Sequence, residues 1–88
     1  MKVIKIGAVW CLECRVMKPR WAEIEKDRPE LKTEFYEYDD HPEIIARYQP
    51  TEMPCFVFVD KNDQEIRRFY GDVKKEILIQ AIKEDKDK

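Results

Sequence analysis

The sequence predicts one α/β domain with a four-stranded mixed sheet and helices on both faces. The spacing of apolar residues switches between the strand and the helix period, in the order strand, helix, strand, helix, strand, strand, helix. The run Cys55-Phe56-Val57-Phe58-Val59 is apolar throughout, as expected for a central strand covered on both sides. A length of 88 residues suits a single domain, which we place at residues 1–85, followed by a charged tail at 86–88.

The first half of the chain is typical of a β-α-β unit. A strand is predicted over Lys2–Ala8 and a second, aromatic-rich strand over Lys32–Tyr38. Between them, a helix from Cys11 to about Asp27 carries one apolar face, and Pro19 is expected to kink it. The crossover of such a unit should be right-handed, and its two strands should be parallel.

The second half predicts a short helix, a hairpin and a closing helix. Pro42 suits the first turn of the short helix, with Asp40 or His41 as its cap. The polar segment 60–63 turns the apolar strand into an antiparallel partner that ends at Tyr70. Asp72 is expected to cap the last helix, and its inward residues are predicted to be Ile77, Leu78, Ala81 and Ile82. From residue 83 onward we expect a frayed, solvated tail.

Composition excludes several classes of function. The chain has 17 basic and 19 acidic residues, a formal net charge of -2, and gives no electrostatic case for nucleic acid or a membrane surface as partner. No apolar run approaches the roughly 18 residues of a membrane span, and the first residues do not resemble a signal peptide. We therefore expect a cytoplasmic monomer whose three cysteines form no permanent structural bridge.

The segment Cys11-Leu12-Glu13-Cys14 lies where the first strand passes into the first helix. At a helix N-terminus, free backbone N–H groups and the helix dipole stabilise a thiolate. Cys11 is therefore expected to be the exposed thiol that attacks a disulfide. Cys14, one turn further on and more buried, is expected to resolve the mixed disulfide. This chemistry needs no bound cofactor.

Several further positions match a known family in register: besides the two cysteines, these are Trp10, Pro19, Pro42, Met53-Pro54 and Gly71. On these residues the chain resembles the thioredoxin superfamily over almost its whole length, although the family's extra N-terminal strand and helix have no counterpart here. Its size is closer to glutaredoxins and to the short thioredoxin-like proteins of some microbes.

The resemblance implies a thioredoxin fold and a thiol–disulfide oxidoreductase. It implies a cis bond between Met53 and Pro54, beside the cysteines, where the Met53 backbone would bind an extended substrate. Trp10, Leu12 and Met53 would form an apolar docking surface. The partners it implies are protein disulfides, which the dithiol would reduce, and an upstream disulfide reductase that recycles it.

Leu12-Glu13 stands where the family usually has glycine-proline between the cysteines. The negative charge of Glu13 opposes thiolate formation at Cys11, so we expect Glu13 to tune the pair toward a reductant.

Lys5 replaces the family's buried acid, six residues before Cys11, and Phe35 replaces the accompanying basic residue. Lys5 is either a solvated strand residue or a charge that tunes Cys14. Glu37 lies on the same strand face as Phe35 and is a candidate ion-pair partner for Lys5.

Cys55 follows Pro54, where a threonine is more usual in the family. It is either a buried, inert thiol or a third thiol that faces the pair. In the second case, Cys11, Cys14 and Cys55 could bind zinc or an iron–sulfur cluster, which is one alternative function. Another is a glutathione-dependent, glutaredoxin-like enzyme, and a third is a peptide-binding scaffold with an idle motif.

Overall fold

The computed structural model describes all residues 1–88 and confirms the predicted order of elements. The sheet order is β2-β1-β3-β4, in which β1 and β2 are parallel and the other neighbours are antiparallel. The elements are β1 (Lys2–Gly7), α1 (Leu12–Asp27), β2 (Lys32–Glu37), α2 (Pro42–Tyr48), β3 (Cys55–Val59), β4 (Glu65–Tyr70) and α3 (Lys75–Asp85). A short 3₁₀ turn, Tyr38–Asp40, lies between β2 and α2.

The sheet has an apolar core on each face, so the prediction of helices on both faces is confirmed. Phe56 and Phe58 of β3 pack with α1 and α3 on one face, together with Met17 and Leu78. The alternate residues of β3 pack on the other face, against α2. Each large side chain buried in this way contributes roughly 1.5–3 kcal/mol. None of the three helices combines the length and the apolar character needed to cross a membrane.

The starts of α1 and α2 follow from local sequence. Cys11 is the N-cap of α1, with an extended backbone, as predicted. Pro42 occupies the first turn of α2, where its missing N–H leaves no helical bond unmade. His41 is the N-cap of α2, but its side chain makes no capping hydrogen bond and its Nδ1 lies 3.1 Å from Glu43 Oε1.

The predicted start of α3 is wrong. The helix begins at Lys75 after an N-cap at Lys74, whose side chain makes no capping bond. Asp72 does not cap it, because its carboxylate instead accepts a hydrogen bond from Arg20 Nη1 on α1. The predicted inward position of Ile77 is also wrong, since the residue is 48% exposed. The inward face is set by Leu78 and its helical neighbours, and Ile77 lies about 100° from Leu78 around the helix axis.

The charge run 83–88 is only partly the frayed, solvated tail that the sequence predicts: five of its six residues are exposed, but residues 83–85 lie in α3 and Asp85 is buried. Asp85, the last residue of α3, is fully buried and accepts hydrogen bonds at Oδ1 from Arg67 Nη2 (2.9 Å) and Lys88 Nζ (3.2 Å). Its Oδ2 lies 2.9 Å from Arg67 Nε but has no well-aligned hydrogen bond. The Lys61 N–H donates to the Lys88 carbonyl at 3.0 Å, which joins this segment to the β3–β4 turn.

Arg67→Ala should lower the free energy of unfolding by about 2 kcal/mol, because it leaves the buried Asp85 carboxylate without its main donor. The measurement is urea denaturation followed by circular dichroism. Lys83→Ala, which removes a cation from the exposed side of the same helix, should shift stability by no more than about 0.5 kcal/mol. Equal effects of the two substitutions would contradict this account of Asp85.

Candidate active site

Cys11 and Cys14 meet at the start of α1. A tight turn, in which Cys11 N–H donates to the Ala8 carbonyl at 3.1 Å, carries the chain from β1 into the helix. Cys11 Sγ then accepts the backbone N–H of Cys14 at 3.3 Å. Both sulfurs are free thiols. The Cys11 sulfur therefore occupies the place of a capping oxygen, where negative charge is stabilised by the helix end.

Cys14 is held in its protonated form. Partial burial raises the pKa of its thiol to about 12, and a hydrogen bond to the Cys11 sulfur acts in the same direction. The Ala8 backbone N–H lowers this pKa, whereas the negative charges of Cys11 and Glu37 raise it. At neutral pH, Cys14 is thus a neutral thiol that can donate its proton toward Cys11.

The relative exposure of the two cysteines is the reverse of the prediction. Cys11 is only 8% exposed, whereas Cys14 is partly exposed. The reason is that Cys11 Sγ turns back onto the helix end to accept the Cys14 N–H. Hydrogen bonding, rather than exposure, distinguishes the two sulfurs.

Two of the predicted docking residues are strongly exposed beside the cysteines. Trp10 is 63% and Leu12 74% exposed, and Val9 adds a third apolar side chain at this surface. The Trp10 indole N–H donates to Asp39 Oδ2 at 3.1 Å, and its ring packs edge-on against Tyr38. These contacts hold the Trp10 ring in a fixed orientation while one side remains open to solvent.

The loop before β3 lies against the same site. The Met53–Pro54 bond is cis, as predicted. Pro54 is buried and lines one cleft together with Cys14, and its carbonyl accepts the Gly71 N–H at 2.9 Å. Met53 is half-buried against the core on the α2 side. Neither its N–H nor its C=O forms a backbone hydrogen bond, so both are free to bind a ligand strand.

A cleft of about 540 Å³ opens beside Cys14, between α1 and the parallel strands β1 and β2. Gly7 forms part of its wall: a Cβ at this position would lie 3.5 Å from Cys14 Sγ and 3.1 Å from Phe35 Cε1. Glu37 is the partner of Gly7 in the β1–β2 ladder and lines the cleft too. Sequence reasoning missed Gly7 and gave Glu37 a different role. The sequence signal that could have revealed this cleft is Gly7 itself, which has no side chain at the end of β1.

Lys5 is neither solvated nor paired with Glu37. Its side chain is 15% exposed, and its ammonium lies 2.8 Å from Glu25 Oε2 and 5.7 Å from the centre of the Trp21 ring. The Thr33 hydroxyl donates to the other Glu25 oxygen at 2.8 Å. Glu37 Oε1 instead accepts the Val9 N–H at 2.9 Å, so the predicted Lys5–Glu37 pair is wrong.

Glu13 is exposed on the first turn of α1. Its carboxylate reaches toward Gly71, where an added Cβ would lie 2.8 Å from Glu13 Oε2. Gly71 has a φ of +76°, a conformation that glycine adopts more readily than other residues. Tuning of the cysteine pair by Glu13 stays a prediction.

The structure does not bring Cys55 to the cysteine pair. Cys55 is fully buried in the core on the α2 side, whereas Phe56, the next residue, packs on the α1 side. Burial raises the pKa of the Cys55 thiol to about 11. No group of three or more His, Cys, Asp or Glu side chains is arranged to hold a metal ion. The three-cysteine metal site therefore has no geometric support.

Several curated proteins that are similar in sequence to this chain are H-type thioredoxins of plants. Thioredoxin H5 of rice is 33% identical over 69 residues, which are 78% of this chain and 50% of that protein. An H-type thioredoxin of Fagopyrum esculentum is 36% identical over 76 residues, 86% of this chain and 65% of that protein. The chain thus spans about half to two thirds of the length of these relatives.

Structural comparison agrees with the sequence comparison. The crystal structure of Fasciola hepatica thioredoxin superposes with a TM-score of 0.85 at 32% identity, covering 94% of this chain and 78% of that one. The model of the thioredoxin family matches residues 1–84. With the fold, the cysteine pair at the start of α1 and these matches in agreement, the chain belongs to the thioredoxin family.

Proposed function

We propose that the chain is a thiol–disulfide oxidoreductase that reduces protein disulfides, with Cys11 as the nucleophile and Cys14 as the resolving thiol. The observation that carries the proposal is the asymmetry of the pair. Cys11 Sγ accepts a backbone N–H at the helix N-cap, while Cys14, with a pKa of about 12, keeps its proton. The thiolate, and not the thiol, is the attacking form in disulfide exchange.

The reaction proceeds in two exchanges. The Cys11 thiolate attacks one sulfur of the substrate disulfide, whose other sulfur leaves as a thiolate and takes up a proton. Cys14 then loses its proton and attacks Cys11 Sγ, which releases the second substrate thiolate. The substrate gains two electrons and two protons, and the chain is left with a Cys11–Cys14 disulfide. An upstream disulfide reductase must return it to the dithiol.

The surface beside the pair suits a peptide substrate. Trp10, Leu12 and Val9 offer apolar contact, and the unpaired backbone groups of Met53 can add a substrate strand alongside. The Glu13 carboxylate in the first turn disfavours the Cys11 thiolate, which makes the dithiol form less stable relative to the disulfide. The pair therefore favours donating electrons to a substrate disulfide. The proposal places this activity in the cytoplasm, in a monomer without a bound cofactor.

The test is reduction of insulin disulfides in the presence of dithiothreitol, combined with metal analysis of the same sample. We expect metal-free protein to accelerate the precipitation of insulin chains well above the dithiothreitol rate. A parallel assay with glutathione and a small mixed disulfide addresses the glutaredoxin-like alternative. Stoichiometric zinc or iron without turnover, or turnover only with glutathione, would contradict the proposal.

A further inference from the structure

The second exchange needs an acceptor for the Cys14 proton. Cys14 is a neutral thiol in the dithiol state, and a thiol must lose its proton to attack the mixed disulfide. Two of the effects that hold this proton come from Cys11, namely its hydrogen bond and its negative charge. Both end when Cys11 is bound to substrate, so the proton is released most easily at the step that requires it.

Glu37 is the carboxylate placed to receive it. Glu37 is the ladder partner of Gly7. Cys14 Sγ lies 3.5 Å from the position that a Cβ atom on Gly7 would occupy, so the missing side chain of Gly7 leaves Cys14 open toward the β1–β2 edge of the cleft. Gly7 and Glu37 are direct ladder partners, so their side-chain positions share one face of the sheet, and Cys14 and Glu37 line the same cleft. The negative charge of Glu37 is among the effects that raise the pKa of Cys14, so the carboxylate acts on this thiol across the cleft.

The carboxylate is fixed in this position by the backbone. Glu37 Oε1 accepts the Val9 N–H at 2.9 Å, next to the Ala8 N–H that faces the Cys14 sulfur. Three cations also line the cleft, Lys5 from β1 and Arg15 and Lys18 from α1. Glu37 is the one carboxylate among the side chains that line this cleft, and the nearest cation on its own sheet face, Lys5, is paired with Glu25 instead.

We propose that Glu37 is the proton acceptor for Cys14 in the resolving step, an inference that rests on the proposed function. As the Cys14 sulfur forms its bond to Cys11 Sγ, its proton passes to the Glu37 carboxylate. The bond between Cys11 Sγ and the substrate sulfur breaks, and its electron pair leaves with the substrate thiolate. Glu37 then gives the proton to that thiolate, which ends as a thiol.

The test uses dithiobis(nitrobenzoate) as the disulfide substrate in stopped flow. One thionitrobenzoate is released when Cys11 attacks and a second when Cys14 resolves, so the two steps are read in one trace. Glu37→Gln removes the charge, while its amide oxygen can still accept the Val9 N–H. We expect an unchanged first release and a second release slowed roughly 100-fold at neutral pH. The slowed rate should recover as pH rises, because hydroxide replaces the missing acceptor.

Glu34→Gln is the matched control. Glu34 lies on the same strand with its side chain on the opposite face, bonded to Lys2 and Tyr36, so the net charge changes equally without altering the cleft. Its second release should match the original chain, and Glu37→Asp, which keeps a carboxylate, should be faster than Glu37→Gln.

An unchanged or faster second release in Glu37→Gln would overturn the inference, because a merely electrostatic Glu37 holds the proton on Cys14. A second release slowed equally by Glu34→Gln would overturn it too. A missing first release in the original chain would instead refute the proposed function, and this inference with it.

Discussion

Cys11→Ser is expected to reduce disulfide exchange to the uncatalysed background, although the variant should fold normally. Serine is a good N-cap, and its hydroxyl can accept the Cys14 N–H that Cys11 Sγ accepts at 3.3 Å. The structural role of the residue is thus preserved and only its nucleophilic role is lost. The remaining thiol, Cys14, cannot substitute, since its pKa is raised by burial.

The measurement is insulin reduction at neutral pH, with thermal unfolding as the check on folding. Cys55→Ala is the matched control, because it removes a thiol that is buried on the other face of the sheet and should leave exchange active. Substantial turnover in Cys11→Ser would show that the attacking sulfur has been assigned to the wrong cysteine.

Cys14→Ser should also abolish turnover, but for a different reason. Cys11 retains its position at the helix N-cap and still attacks, while no thiol remains to displace the bound substrate. The variant should therefore accumulate a covalent adduct with a disulfide peptide, and dithiothreitol should release it. Intact-mass spectrometry gives the amount, and peptide mapping gives the site.

The control for trapping is the double variant Cys11→Ser, Cys14→Ser, which should form no adduct although Cys55 is still present. An adduct in Cys11→Ser but none in Cys14→Ser would reverse the two roles. An adduct in the double variant would mean that Cys55 is accessible, contrary to its buried position.

Local patterns were enough to predict the elements, and distant contacts account for most of the errors. The helix start at Cys11 and the apolar strand β3 depend on neighbours in sequence, and both were predicted. Asp72 is a suitable cap by its residue type, yet it binds Arg20, which is 52 positions away. Asp85 likewise looks like part of a solvated charge run until β4 brings Arg67 against it.

The same distinction holds for the active site. The cysteine pair is visible in four consecutive residues, whereas the cleft beside Cys14 depends on the parallel register that sets Gly7 opposite Glu37. The reversed exposure of the cysteines comes from the direction of one side chain, which residue type does not determine. The position of Cys55 follows from strand alternation, because it shares a face with Val57 and not with Phe56.

Limited alkylation of the reduced chain tests the central claim most directly, because exposure and charge favour different sulfurs. Less than one equivalent of iodoacetamide is added at neutral pH, and the label is located by peptide mapping. If the helix N-cap holds Cys11 as the reactive thiolate, the label should lie on Cys11 despite its 8% exposure, with Cys14 and Cys55 unmodified. A label mainly on the more exposed Cys14 would contradict the division of roles between the two cysteines.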